Sequence, residues 1–115
     1  MALTKSSSSI TTLTATGTST TVSVASSYRH SCYIRHINGT GTITAGGIAR
    51  VQCRPQSSTT WYTHLSTVFS QMASATETRV VPLPDDAAEV RIDYVAPVGS
   101  TGHSLDVEVG QITSY

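Results

Sequence analysis

The histidines and cysteines are the residues of this chain whose side chains could bind a metal or take part in catalysis. The four histidines, at positions 30, 36, 64 and 103, form no H-x-x-x-H or H-x-H pair. His103 and Asp106 could meet in space, but two ligands do not complete a zinc site. Cys32 and Cys53 fall inside predicted strands, where a buried structural thiol is expected. We therefore expect polar histidines in turns and strands, no metal site and no thiol nucleophile.

Serine and glycine are common, but neither occurs in a catalytic or phosphate-binding motif. The chain has 17 Ser and 19 Thr among 115 residues, so no single serine stands out, and no G-x-S-x-G elbow is present. No P-loop or G-x-G-x-x-G sequence is available to hold phosphate. Asp85 and Asp86 are adjacent, whereas calcium-binding loops alternate their ligands; we expect a helical turn over 85–88. The sequence predicts no catalytic residue and no cofactor, and hence a protein that is not an enzyme.

Two features could instead make contact with a partner. Trp61 and Tyr62 are adjacent, so in a strand one ring points inward and the other outward. An outward Tyr62 could anchor a sugar or a protein; the alternative is a core Trp61 beside an ordinary half-buried Tyr62. The second feature is a set of arginines from two strands that could be neighbours, which would form a local basic patch or, alternatively, a solvated or internally paired face. Its members are Arg29, Arg35, Arg50 and Arg54. We take Tyr62, Arg35, Arg50 and Arg54 as the candidate contact residues.

Short β-strands must position these residues. Runs rich in Thr, Val and Ile with period-two alternation predict strands, and Gly and Pro clusters mark the turns between them. Gly17 is expected at a turn, and residues 60–76 are interpreted as two strands. The segment 31–38 carries apolar residues on both faces, so we expect it to be covered on both sides. The remaining strands are predicted over 10–15, 20–25, 48–54, 79–83, 89–94 and 105–109.

The last two strands have the clearest alternation. Positions 90, 92 and 94 are apolar and so are 105, 107 and 109, with charged residues between them. If the two strands form a hairpin, Arg91 lies near Glu108 or Asp106 on the exposed face.

Turn signals recur about every ten residues, which is typical of a sandwich or barrel. We predict an all-β protein: a single antiparallel β-sandwich or jelly-roll-like domain of about eight or nine short strands over 10–115. Residues 1–9 are polar and serine-rich, and we expect a flexible N-terminal arm there. Two cysteines make no disulfide framework, so we expect free buried thiols.

Charge and hydropathy argue against three further features: nucleic-acid binding, a membrane span and a secretory signal. Lys+Arg and Asp+Glu are both 7, so the net charge is zero, which disfavours a stand-alone nucleic-acid binder. The apolar runs are too short for a membrane span. No apolar segment follows Lys5, so no secretory signal is expected.

Three segments resemble small structural proteins of tailed bacteriophages: the Ser/Thr-rich start, the run VVPLPDDAAEVRIDY at 80–94, and GSTGHSLDVEV at 99–109. The resemblance implies a virion protein, assembled in the host cytoplasm, that decorates or cements the capsid. It implies the major capsid protein or other virion proteins as partners, and a homo-oligomer with a trimer favoured; no nucleic-acid or membrane partner is expected. The alternatives are a neck, tail or fibre-associated component, or a β-sandwich carbohydrate-binding module that uses Tyr62 or Trp61.

Overall fold

Nine antiparallel strands make up the secondary structure of the residues described by the computed structural model, which are residues 3–114. No helix occurs among these residues, and so none that could cross a membrane. The strands are β1 (Thr4–Leu13), β2 (Gly17–Thr18), β3 (Val22–Ser23), β4 (Arg29–Ile37), β5 (Ile48–Pro55), β6 (Tyr62–Val68), β7 (Thr76–Pro82), β8 (Ala87–Val95) and β9 (Ser104–Ser114).

The strands form two sheets in jelly-roll order. Sheet A has the order β1-β9-β4-β7, and sheet B has the order β2-β8-β5-β6. Strand β3 also pairs with β8, with Val22 opposite Val90, while Gly17 of β2 is opposite Tyr94. Strands β2 and β3 are therefore two halves of one interrupted edge strand. Counting them as one gives two four-stranded sheets, the arrangement of a jelly roll, and the all-β sandwich expected from the sequence is confirmed.

The core lies between the inner faces of the two sheets. In each strand alternate side chains point inward, and the apolar alternation read from the sequence identifies these positions correctly. In β8 the buried residues are Val90, Ile92 and Tyr94; in β9 they are Leu105, Val107 and Val109. Strands β4 and β5 supply Ile34, Val51 and both cysteines to the same core.

The N-terminal segment differs from the expected flexible arm. Residues 4–9 form the first part of β1 and pair with β9, from Thr4 opposite Ser114 to Ser9 opposite Glu108. Strand β9 is 11 residues long and pairs with β4 along one side, so its other side is free to pair with β1. Residues 1 and 2 of the expected arm lie outside the described residues.

Three local expectations are also corrected. Asp85 and Asp86 form a turn, and Ala87 already begins β8, so there is no helical turn at 85–88. Residues 60–76 contain one full strand, β6, followed by the start of β7. Strand β4 is central in sheet A, but it is not covered on both sides: on its outer face Tyr33 is 52% exposed.

Candidate functional site

The four arginines do not form one patch. Strands β4 and β5 belong to different sheets, so Arg35 lies on the outer face of sheet A, whereas Arg50 and Arg54 lie on the outer face of sheet B. Each of these three is close to a carboxylate, with Arg35 Nη2 3.8 Å from Asp106 Oδ2. Of the two alternatives given by the sequence, a basic patch and an internally paired face, these three arginines follow the second, with paired charges on two opposite faces.

Charged pairs cross the outer face of sheet B in register. Arg50 lies opposite Asp93, with Nη1 3.3 Å from Oδ2, and Arg54 lies opposite Glu89, with which it is paired. Between them Arg91 donates to Gln52 Oε1 over 2.8 Å. Arg91 therefore does not meet Glu108 or Asp106, because β8 and β9 are in different sheets. Such partly exposed pairs contribute up to about 1 kcal/mol each and mainly fix the register.

Trp61 packs on this charged face. The guanidinium carbons of Arg91 and Arg54 lie 4.3 Å and 5.4 Å from the centre of its ring, so the indole is held by cation–π contacts. Trp61 is half-buried and is not a core residue, and Tyr62 is exposed. The alternative with a core Trp61 and a half-buried Tyr62 is therefore wrong.

Tyr62 belongs to an exposed apolar strip that we call the β6 edge. The strip runs along the edge strand β6 and the segment after it, and consists of Tyr62 (58% exposed), Leu65 (45%), Val68 (63%) and Met72 (69%). By register, Tyr62 and Leu65 share the inner face of sheet B with Cys53 and Val51, whereas Val68 pairs with Ile48. Apolar side chains are thus exposed on both faces of the same edge strand.

A second surface covers the outer face of sheet A. Two rows of residues cross the strands there. One row is Ser9, Glu108, Tyr33 and Val80; the next is Thr12, Asp106, Arg35 and Thr78. These side chains line a shallow depression of about 490 Å³. Within it Thr12 Oγ1 donates a hydrogen bond of 2.6 Å to Asp106 Oδ1.

The Tyr33 ring lies beside Gly110 on this face. A Cβ atom added to Gly110 would lie 3.0 Å from Tyr33 Cε2 and 3.7 Å from Cδ2. Glycine at this position therefore lets the ring lean along β9. The ring also borders a second depression, near Lys5 and Arg29.

A buried polar network, which no sequence motif predicted, connects the two sheets. His36 and Asn38 are fully buried, and His36 Nδ1 lies 2.7 Å from Asn38 Oδ1. On its other side His36 Nε2 lies 2.8 Å from the Tyr94 hydroxyl, which lies 3.1 Å from His103 Nδ1. The His36 ring also stacks on Phe69 at 4.2 Å. The signal that could have found it is the alternation of positions 32, 34 and 36, which places His36 on the same face as Cys32 and Ile34 and so requires partners for a buried imidazole.

Glu77 anchors one end of the network. Its Oε2 atom accepts hydrogen bonds of 2.9 Å from Asn38 Nδ2 and from the amide and the hydroxyl of Ser70. Burial raises the pKa of the Glu77 carboxyl, but the hydrogen bonds from Asn38, Ser70 and Arg79 outweigh burial and hold that pKa at about 2. Burial lowers the pKa of His36 more than its bond with Asn38 raises it. The network is therefore a neutral imidazole bound at one end to an ionised carboxylate.

Cys32 and Cys53 are both free and buried, as the sequence predicted. Burial, and to a smaller extent the nearby Cys53, raises the pKa of the Cys32 thiol to about 12. Burial also raises the pKa of Cys53. A protonated thiol is a poor nucleophile, so both cysteines are suited to packing. Across the described residues no group of three or more His, Cys, Asp or Glu side chains is placed to hold a metal ion.

Comparison with known proteins identifies structures of the same fold. No protein-family model and no curated protein sequence matches the chain. A crystal structure of the SPBc2 prophage-derived protein YomS aligns with a TM-score of 0.58 and 12% identity, covering 97% of this chain and 96% of that one. A structure of Bacillus endospore appendages, described as a family of disulfide-linked pili, aligns with a TM-score of 0.50 and 13% identity, covering 100% and 93%. At such low identities these similarities concern the fold.

Proposed function

We propose that this protein is a virion structural protein that binds the surface of a phage capsid as a decoration protein. The observation that carries the proposal is the β6 edge, defined above by Tyr62, Leu65, Val68 and Met72. The role is one of binding, with no catalytic step, and the protein joins the particle during assembly in the host cytoplasm. The similarity in fold to a prophage-derived protein supports this proposal by analogy.

The β6 edge lacks the residues that usually prevent an exposed edge strand from pairing with another chain. Edge strands of monomeric proteins are usually blocked by charged residues or proline, because their free backbone groups can pair with another chain. Strand β6, with the sequence YTHLSTV, has no lysine, acidic residue or proline. Strand β1, at an edge of sheet A, presents Lys5 and four serines instead. The two edges differ in the way expected if β6 is covered in the assembled particle and β1 is not.

The chemistry of the edge favours a protein partner. The exposed groups are apolar or aromatic, and such residues dominate the centres of protein interfaces. We propose the major capsid protein or a neighbouring virion protein as that partner, with a trimer of this chain as the attached unit. Since none of the four residues that define the β6 edge is a charged type, its attachment should depend little on salt.

The alternatives predicted from the sequence, and the pilus suggested by one structure of the same fold, are less well supported. A sugar site on Trp61 would need a free ring face, whereas Arg54 and Arg91 pack against that ring. A pilus joined by disulfides would need accessible thiols, whereas both cysteines of this chain are buried. A location at the neck or tail uses the same kind of surface with another partner, and the experiment below separates it from the capsid.

The test uses particles that lack the protein. Virions are prepared from the phage or lysogen that carries the gene, with the gene deleted, and separated into capsids and tails. The purified chain is mixed with each and pelleted, and light scattering gives the mass of the free protein. Saturable binding to capsids by a trimer is expected.

Matched valine substitutions test the surface itself. Val68 of β6 and Val80 of β7 are on edge strands of different sheets and are 63% and 61% exposed. Val68→Lys should lower capsid occupancy about tenfold or more, as for a residue at the centre of an interface, and Val80→Lys should leave it unchanged. Equal effects of the two substitutions would contradict the β6 edge as the contact. Binding to tails but not to capsids would overturn decoration in favour of a tail role.

A further inference from the structure

We infer that the outer face of sheet A is a binding site for a neutral saccharide, with Tyr33 as the ring on which the sugar stacks. The site is the depression of about 490 Å³ lined by the Tyr33 and Arg35 rows. It lies on the sheet that does not contain β6, so the inference neither uses the β6 edge nor depends on capsid binding.

Tyr33 is placed so that its ring is both supported and accessible. The ring leans along β9 beside Gly110, where an added Cβ atom would lie 3.0 Å from Cε2 and the ring would have to shift, yet about half of the residue is exposed. The backbone of Gly110 does not have a positive φ and lies in a regular strand, so its lack of a side chain makes room for the ring and is not required by the backbone. An exposed aromatic held against a rigid sheet loses little conformational entropy when a ligand packs on it.

Polar groups that both donate and accept hydrogen bonds lie beside the ring. Glu108 is opposite Tyr33, and Asp106 is opposite Arg35 in the next row. Carboxylate oxygens accept hydrogen bonds from hydroxyls, the guanidinium donates them, and the hydroxyls of Thr12 and Thr78 can do both. Alternating donors and acceptors within reach of an aromatic ring match a sugar, which has hydroxyls around its rim and C–H groups on its faces.

The charges in the depression disfavour anionic ligands. Arg35 is already near Asp106, and Glu108 adds a further negative charge to the depression. Arg79 also lines the depression, but its guanidinium lies over Phe69 and pairs with Glu77. A phosphate, a nucleic acid or an acidic peptide would therefore meet two carboxylates and the paired guanidinium of Arg35, and like charges disfavour such binding. A neutral ligand meets no such penalty.

The backbone beneath the depression disfavours an extended peptide. Strands β9 and β4, which form the middle of its floor, are internal to sheet A and pair on both sides, so this part of the floor offers no free backbone groups. Peptides that bind by strand addition need a sheet edge. The volume is within the range of about 300–1,000 Å³ typical of small-molecule sites.

The experiment measures sugar binding by the free, full-length protein. Saturation-transfer NMR and titration calorimetry are run with maltohexaose, cellohexaose, xylohexaose and chitohexaose, and with polygalacturonate oligomers as anionic comparators. We expect saturable binding of at least one neutral oligosaccharide and weaker or no binding of the anionic ones. Tyr33→Ala should weaken the binding about tenfold or more, the loss expected when a stacked ring is removed.

Two further variants test whether binding depends on the ring of Tyr33 and on its position. Tyr33→Phe keeps the ring and should keep most of the affinity. Gly110→Ala keeps Tyr33 but displaces its ring, and should also weaken binding. The matched control is Tyr62→Ala, which removes a tyrosine of similar exposure from sheet B and should have no effect.

Three results would overturn the inference. The first is no binding of any neutral oligosaccharide in the panel; the second is binding that is unchanged in Tyr33→Ala; the third is tighter binding of the anionic oligomers. Capsid binding by the wild-type chain would be unaffected by any of these results, so the two proposals fail separately.

Discussion

The Nε2 atom of His36 lies 2.8 Å from the hydroxyl oxygen of Tyr94, and this contact joins sheet A to sheet B inside the core. The groups around His36 determine which of the two atoms donates the hydrogen bond and which accepts it. Asn38 directs its amide nitrogen to Glu77 and to Met72 O, so its Oδ1 faces His36 and accepts from Nδ1–H. The neutral imidazole therefore has a bare Nε2, which accepts from the Tyr94 hydroxyl.

Tyr94→Phe should destabilise the protein by roughly 1–3 kcal/mol, because it leaves His36 Nε2 buried without a donor. The measurement is the free energy of unfolding in urea, followed by far-UV circular dichroism. Tyr33→Phe, which removes a hydroxyl from an exposed ring, is the control and should change stability by less than about 0.5 kcal/mol. Equal stability of the two variants would show that the buried hydroxyl is not needed.

Glu77 should make the protein sensitive to acid. Its pKa is held at about 2 in the folded protein against an ordinary value of 4.5. A lowered folded-state pKa contributes stability above pH 4.5, and this contribution is lost as the pH falls from 4.5 towards 2. Its size is at most on the order of 3 kcal/mol.

Glu77→Gln tests this contribution. The variant should be less stable than the wild type at pH 7 and should lose less stability between pH 4.5 and 2. Urea unfolding at each pH gives both values. Parallel pH profiles for the two proteins would show that another group causes the acid sensitivity.

Both thiols should be unreactive in the folded protein. Cys32 and Cys53 are buried, and burial raises both pKa values, that of Cys32 to about 12. Ellman's reagent at pH 8 should therefore modify neither cysteine in the native state and both in urea. A native mass two hydrogens lower without reductant would contradict the free thiols.

Gly46→Ala should destabilise the fold by steric conflict alone. A Cβ atom at Gly46 would overlap the backbone oxygen of Phe69, and backbone cannot move aside as a flexible side chain can. We expect a loss of roughly 1–3 kcal/mol, measured by thermal and urea unfolding. Gly110→Ala is the comparison, because its added methyl meets only the exposed Tyr33 ring, and it should cost clearly less.

The sequence predicted what depends on local alternation. Positions 90, 92 and 94, and 105, 107 and 109, were assigned inward correctly because period-two burial is visible within one strand. What failed depends on which strands are neighbours. Arg91 was expected near Glu108 or Asp106 if the last two strands form a hairpin, but in the jelly roll β8 and β9 belong to opposite sheets. For the same reason Arg35 is separated from Arg50.

The residues of the candidate surfaces also could be identified from the sequence only where their role is local. Tyr62 was identified from its type and position, since it follows Trp61 in a strand. Tyr33 was not, because its role depends on Gly110, which lies 77 positions later in the chain and comes beside it only through the pairing of β4 with β9. The polar network likewise needs Tyr94 and His36 to meet across the core, which no spacing in the sequence reveals.

Because β9 lies between β1 and β4, sheet A can be completed only at a late stage of the synthesis of the chain. Strand β1 leaves the ribosome first of the nine, yet its partner β9 is the ninth. Until β9 emerges, sheet A can contain only the β4–β7 pair, and β1 has no strand beside it. The nascent chain must therefore carry an unpaired β1 while every intervening strand is made, and the sandwich can close only after β9 has emerged. Such long-range pairing is typical of slowly folding β-proteins.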